Sequence, residues 1–176
     1  GVGILALLHL LRELSVRITD FGIGRALRFY SANGEIPYPS LKKIVLQLGI
    51  VMAAGVVLTS VVLKYLPINI WDDINTTVYL FFLPTPFFFV LTVYLRNLLH
   101  GQLLINAVNI SEILEKVFYI ILFVLLVWYF DLGLIGVSLA LSTSSFFLFL
   151  QLFVQANKYE TLQPQGSMPF SSKVLI

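Results

Sequence analysis

Cysteine is absent from this 176-residue chain, which excludes disulfide scaffolds, thiolate metal sites, iron–sulfur clusters and cysteine nucleophiles. Charge is scarce as well: only 11% of the residues are Asp, Glu, Lys or Arg, and the formal net charge is +2. So small an excess leaves no electrostatic footprint for nucleic acid, and no basic tract interleaved with aromatics lies outside the apolar runs. Of the histidines, His100 has no companion for metal or nucleophilic chemistry and reads as a polar group at a loop. No phosphate-binding loop, dinucleotide fingerprint, Ser-His-Asp set or HExxH pattern occurs, and no acidic pair has the setting of a catalytic or metal site. The sequence therefore predicts no enzyme, no cofactor and no metal.

Apolar residues make up 59% of the chain and the mean hydropathy is +0.94, far above a soluble balance of roughly half apolar and a quarter charged. They come in runs near or beyond the roughly 20 residues that carry a helix across about 30 Å of hydrocarbon. The pattern predicts an all-α fold, a polytopic transmembrane helix bundle of about five spans at 2–29, 44–66, 74–95, 103–130 and 132–154. Residues 155–176 read as a cytoplasmic tail and the start of a further helix. Turn chemistry separates the spans. Asn33 to Ser40 is a loop with Ser40 as the expected cap of the second span, Pro67 stops that span, Asp72 or Asp73 caps the third, and Asp131-Leu132-Gly133 is a tight turn. Adjacent spans must then be antiparallel neighbours.

The cations set an orientation. With loop 31–43 in the cytoplasm, Arg25, Arg28, Lys42, Lys43, Arg96, Lys116, Lys158 and Lys173 fall toward that side, while Lys64 lies near the other with Asp72, Asp73 and Asp131. Trp71, Trp128 and Tyr129 then mark the outer boundary. The first span runs inward, so a chain starting in the cytoplasm needs one more helix upstream. Together with the interrupted helix entrance Pro169 to Ile176, this makes the sequence read as a piece of a longer polypeptide in the cell membrane, with the lipid bilayer and the remainder of that polypeptide as partners.

Polar residues inside the spans are the candidate site. His9, Arg12, Glu13, Arg17 and Asp20 fall within an arc of about 140° on the first span. One reading pairs Glu13 with Arg17 and Arg17 with Asp20 as local neutralisation; the other has this face line a cavity, since each mid-membrane Arg costs about 2.5–3.5 kcal/mol against lipid. Arg12 has no local partner, which favours the cavity and an anionic ligand. On the fourth span Gln102, Asn106, Asn109, Glu112 and Lys116 share a face, either for interhelical bonding with a Glu112–Lys116 pair or for sugar hydroxyls. Pro84-Thr85-Pro86 predicts a kink in the third span. Gly49, Ala53 and Gly55, and Ser138, Ser142 and Ser145, read as close-packing faces.

The stretch Thr19-Asp20-Phe21-Gly22-Ile23-Gly24-Arg25-Ala26-Leu27-Arg28-Phe29-Tyr30 resembles the end of the second helix in polysaccharide-biosynthesis flippases of the multidrug, oligosaccharidyl-lipid and polysaccharide exporter superfamily. Tyr94-Leu95-Arg96-Asn97-Leu98-Leu99-His100-Gly101 and Asp131-Leu132-Gly133-Leu134-Ile135-Gly136 look like later junctions of the same family, in the same order. The resemblance implies part of the first lobe of a transporter of 12 to 14 helices that flips an isoprenoid-pyrophosphate-linked oligosaccharide between leaflets. Arg12 and Arg17 would meet the pyrophosphate, with Glu13, Asp20, Asn106 and Asn109 on the same cavity face. The alternatives are a multidrug cation exporter of that superfamily, using Glu13 and Asp20, and a non-transporting membrane scaffold.

Overall fold

The computed structural model describes residues 2–20, 22–65 and 75–162. The described residues fold as helices and their connections: α1 Val2–Asp20, α2 Ile23–Asn33, α3 Tyr38–Tyr65, α4 Thr76–Phe82, α5 Pro84–Gly101, α6 Ile105–Phe123 and α7 Gly133–Leu162. A π-helical segment, Val124–Tyr129, extends α6. Three stretches among them are long and apolar enough to cross a membrane: Tyr38–Val62, Thr76–Gly101 and Gly133–Leu162, of 25, 26 and 30 residues. At about 1.5 Å per residue each exceeds the roughly 30 Å of a hydrocarbon core. The expected spans 2–29 and 103–130 are not among the three, because α1 carries Arg12, Glu13, Arg17 and Asp20, and α6 carries Glu112, Glu115 and Lys116.

The first expected span is two helices rather than one. Gly22 adopts φ +80°, a left-handed conformation that ends α1 and starts α2. An apolar sequence conceals such a break, since glycine turns the chain without any polar signature. Asp20 then caps the new helix, its Oδ1 accepting from the Gly24 N–H at 3.0 Å. A Cβ at Gly22 would meet nothing within 4 Å, so Gly22→Val should carry only the left-handed penalty of about 1–2 kcal/mol. Thermal unfolding in detergent measures this, and an unchanged melting temperature would exclude the turn.

Ser40 does not cap α3; the helix starts at Tyr38, with Pro39 in its first turn, where a missing N–H costs nothing. Pro67, Trp71, Asp72, Asp73 and the tail 163–176 lie outside the described residues, and Asn75 caps α4 by accepting from Thr77 N–H at 2.9 Å. The proline pair breaks the third expected span at Leu83, between α4 and α5. Ser142 on α7 donates to the Phe81 carbonyl of the broken turn, and Thr85 donates to the Ser142 hydroxyl at 2.9 Å. Neighbouring side chains thus satisfy the backbone that proline frees. The turn before α7 forms as expected, with φ +51° at Asp131 and +52° at Gly133.

Helix α5 is the centre of the bundle, packed by α1, α2, α3 and α7. Contacts along it fix the directions. Arg12 lies over Phe89, the Thr19 carbonyl accepts from Tyr94 OH, and Ser31 Oγ donates to the Leu98 carbonyl, so α1 and α2 run parallel to α5. Helix α7 is parallel as well, from Thr85–Ser142 to Gln102–Tyr159. Helices α3 and α6 run the other way, as Lys64–Thr76 beside Gly49 against Leu91 require for α3, and Glu112 at Arg96 beside Glu115 at Arg12, over Phe89, require for α6. Gly49 and Ala53 are buried, and so are Ser138, Ser142 and Ser145, as packing faces should be; Gly55 is exposed, and a Cβ there would meet no described residue within 4 Å.

Candidate functional site

Phe89 sits near the middle of the membrane-length stretch Thr76–Gly101. Arg12 of α1 is placed over it, with the guanidinium carbon 4.0 Å from the ring centroid. Only 6% of Arg12 is exposed. Its Nη2 is 3.8 Å from Oε1 of Glu115 on α6, close enough for charge attraction and too far for a hydrogen bond. The Arg12 Nε is buried without a hydrogen-bond partner among the described residues. Glu115 is 1% exposed, and its other oxygen lies 3.1 Å from Nζ of Lys116, a side chain that is 63% exposed. One buried carboxylate therefore stands between two cations, at the depth of Phe89.

Polar contacts continue from this cluster toward the loop that joins α2 to α3. Arg96 of α5 pairs with Glu112 of α6 at 2.7 Å. Arg28 Nε donates to Asn97 Oδ1 at 2.6 Å. Gln102 donates to Ser31 Oγ at 2.9 Å and accepts from Tyr159 OH at 2.6 Å. Lys42 reaches Asn157 at 2.8 Å and also pairs with Glu160. These bonds join α2, α3, α5, α6 and α7 toward one end of the bundle, whereas the Arg12–Glu115 pair joins α1 to α6 in its middle.

The sequence-predicted residues divide into two sets. Arg12 is inside, with Glu115 as the partner that local spacing did not offer. Glu13, Arg17, Asn106 and Asn109 are exposed and form no side-chain hydrogen bond or ion pair among the described residues, and Asp20 is exposed while capping α2. Neither Glu13–Arg17 nor Arg17–Asp20 pairs up, so local neutralisation does not account for the first helix. The Glu112–Lys116 pair does not form either, because Glu112 turns to Arg96 and Lys116 to Glu115. On α1, Leu10, Glu13, Leu14, Arg17 and Asp20 share the outward stripe, and on α6 Asn106, Asn109 and Lys116 lie among outward Ile110, Ile113 and Val117. The outward face of α3 differs. Between Ile44 and Val62 it presents Ile50, Val51 and Leu58 with no charge, Gln47 and Thr59 being its polar members.

Glu115 and Arg96 are the functional candidates that face arithmetic missed. A signal for Glu115 exists: an acid in a membrane-depth helix needs a counter-ion, and Arg12 is the in-span cation without a local acid. Matching the two unpaired charges yields the contact. Comparison with known proteins finds no family model, no curated protein and no solved structure that matches the chain.

Proposed function

We propose that this chain is part of the first lobe of a membrane transporter that flips isoprenoid-pyrophosphate-linked oligosaccharide for polysaccharide biosynthesis, with α1 and α6 as spans beside the three apolar ones. The carrying observation is the outward stripe of α1, where Glu13 and Arg17 lie without a hydrogen-bond or ion-pair partner among the described residues, beside the buried Arg12. Facing lipid, each such charge would cost about 2.5–3.5 kcal/mol on the insertion scale, so this stripe is read as the wall of a wet cavity. Alternation of direction supports five crossings: α1, α5 and α7 run one way, α3 and α6 the other. In this reading loop 31–43 faces the cytoplasm of the cell membrane. Arg12 and Arg17 would take the pyrophosphate, and the amides of Asn106 and Asn109 the sugar hydroxyls.

Export of surface polysaccharide by cells carrying the full-length protein tests this. Arg12→Ala or Arg17→Ala is expected to lower export by roughly tenfold or more at unchanged protein level, the loss of one charge-assisted contact of about 1.5–3 kcal/mol. Unchanged export in both variants would remove the pair from the site. A second reading, export of cationic drugs, is favoured by the exposure of Glu13 and Asp20 on the same stripe; it predicts that Glu13→Gln sensitises cells to cationic drugs while polysaccharide export persists.

A further inference from the structure

The Arg12–Glu115 contact is unlike a structural ion pair. Buried pairs repay their desolvation only when they close to hydrogen-bond distance and satisfy their donors. Here the two groups stand 3.8 Å apart, and the Arg12 Nε–H is buried with no acceptor among the described residues. Phe89, at 4.0 Å, holds the guanidinium independently of the carboxylate. Charge is unbalanced too, since Glu115 faces both Arg12 and Lys116. Lys116 is largely exposed and Arg12 is not, so the pair of cations runs from the outward face of α6 into the interior. A guanidinium with free, forked donors beside an ammonium suits a phosphate group better than a single carboxylate.

We propose that Glu115 is an internal stand-in for the anionic group of the transported molecule, holding Arg12 and Lys116 while the site is empty and releasing both to an incoming phosphate or pyrophosphate. This rests on the export reading above and adds a residue to it: Glu115 competes with the ligand and so sets how tightly the ligand is held. The exchange keeps the buried arginine paired in both states, and the displaced Glu115 carboxylate, buried while the site is empty, must be hydrated in the opened, ligand-filled site. It also weakens ligand binding, which lets the ligand leave again on the far side.

Calorimetric titration of inorganic pyrophosphate into the full-length protein in nanodiscs tests the exchange. Glu115→Gln removes the competing charge and keeps the side chain's size, so its affinity should rise about tenfold or more over wild type, a gain of at least about 1.4 kcal/mol. Arg12→Gln added to it should abolish the gain. Affinity that is unchanged or weaker in Glu115→Gln overturns the proposal and makes Glu115 a structural neutraliser. If Glu115→Gln does not fold, Glu115→Asp carries the test: its shorter reach loosens the hold on Arg12, and binding no tighter than wild type overturns the proposal equally. Repeating the titration with phosphatidylglycerol in the discs separates sources, because competition would place a bilayer headgroup in the site and no competition a ligand from solution. Arg12-dependent export with no tightening in Glu115→Gln would sink the exchange alone. Tightening in a protein whose export ignores Arg12 would sink the export reading instead.

Discussion

Gly101→Val is expected to cost the protein about 3–5 kcal/mol, a large part of the roughly 5–15 kcal/mol that holds a typical domain together. A Cβ at this position would lie 2.5 Å from Ser31 Cβ and 2.7 Å from the Arg28 carbonyl oxygen. The second of these is backbone and has no rotamer to escape into, so α2 must move away from α5. That movement pulls on Ser31 Oγ–Leu98 O at 2.8 Å, Gln102–Ser31 at 2.9 Å and Arg28–Asn97 at 2.6 Å. Each is worth about 0.5–1.5 kcal/mol net, on top of about 1–3 kcal/mol for overpacking. Because Gln102 also accepts from Tyr159, the disturbance reaches α7. Gly55→Val is the control: its Cβ would meet nothing within 4 Å, and the change should stay within about 0.5 kcal/mol. Size-exclusion profiles after a temperature series read both. A wild-type profile for Gly101→Val would mean that α2 does not pack on α5 as described.

The helices and their order were legible in the sequence where a local rule governs them. Proline lacks an N–H, so Pro84 and Pro86 announce the break at Leu83 wherever the helix goes. Asp131-Leu132-Gly133 is short enough that no fold avoids a turn there. The break at Gly22 was hidden because glycine among apolar residues is compatible with a continuing helix, and only the cap from Asp20 to Gly24 reveals the choice made. Ser40 failed as a cap for a related reason: Pro37 and Pro39 flank Tyr38, and the rigid φ of Pro39 starts the helix earlier than a hydroxyl would. Charge pairing was least legible. Helical spacing groups Arg12 with Glu13, Arg17 and Asp20 on one side of one helix, yet it does not say which neighbour that side meets. Arg12 turned inward to Glu115 and Phe89 while Glu13 and Arg17 turned outward, a division of one arc that depends on the position of α5 and α6.

That division predicts how single cysteines should react. No native thiol interferes within this chain, so the experiment needs only a cysteine-free background in the full-length protein. Two positions lie at nearly the same depth on different helices. Arg17 is half a turn from Thr19, whose carbonyl accepts from Tyr94 OH, and Ile50 adjoins Gly49, which packs against Leu91 and Tyr94. Both are exposed, but one lies on a charged stripe and the other on an apolar face. Maleimide reacts with the thiolate, and a thiol in an apolar setting holds its proton. A membrane-impermeant maleimide is therefore expected to label Arg17→Cys at least about tenfold faster than Ile50→Cys, the ratio set by roughly one unit or more of thiol pKa and by water access. Asn109→Cys on α6 should follow Arg17→Cys, and Leu58→Cys on α3 should follow Ile50→Cys. Inorganic pyrophosphate should slow labelling at Leu14→Cys, exposed on the same stripe with both arginines intact, without touching Ile50→Cys if the stripe lines the path of an anion. Equal rates at Arg17→Cys and Ile50→Cys would mean that depth alone governs access, and the case for a wet wall along α1 and α6 would fail with it, since a charged stripe and an apolar face at one depth cannot share the same solvent.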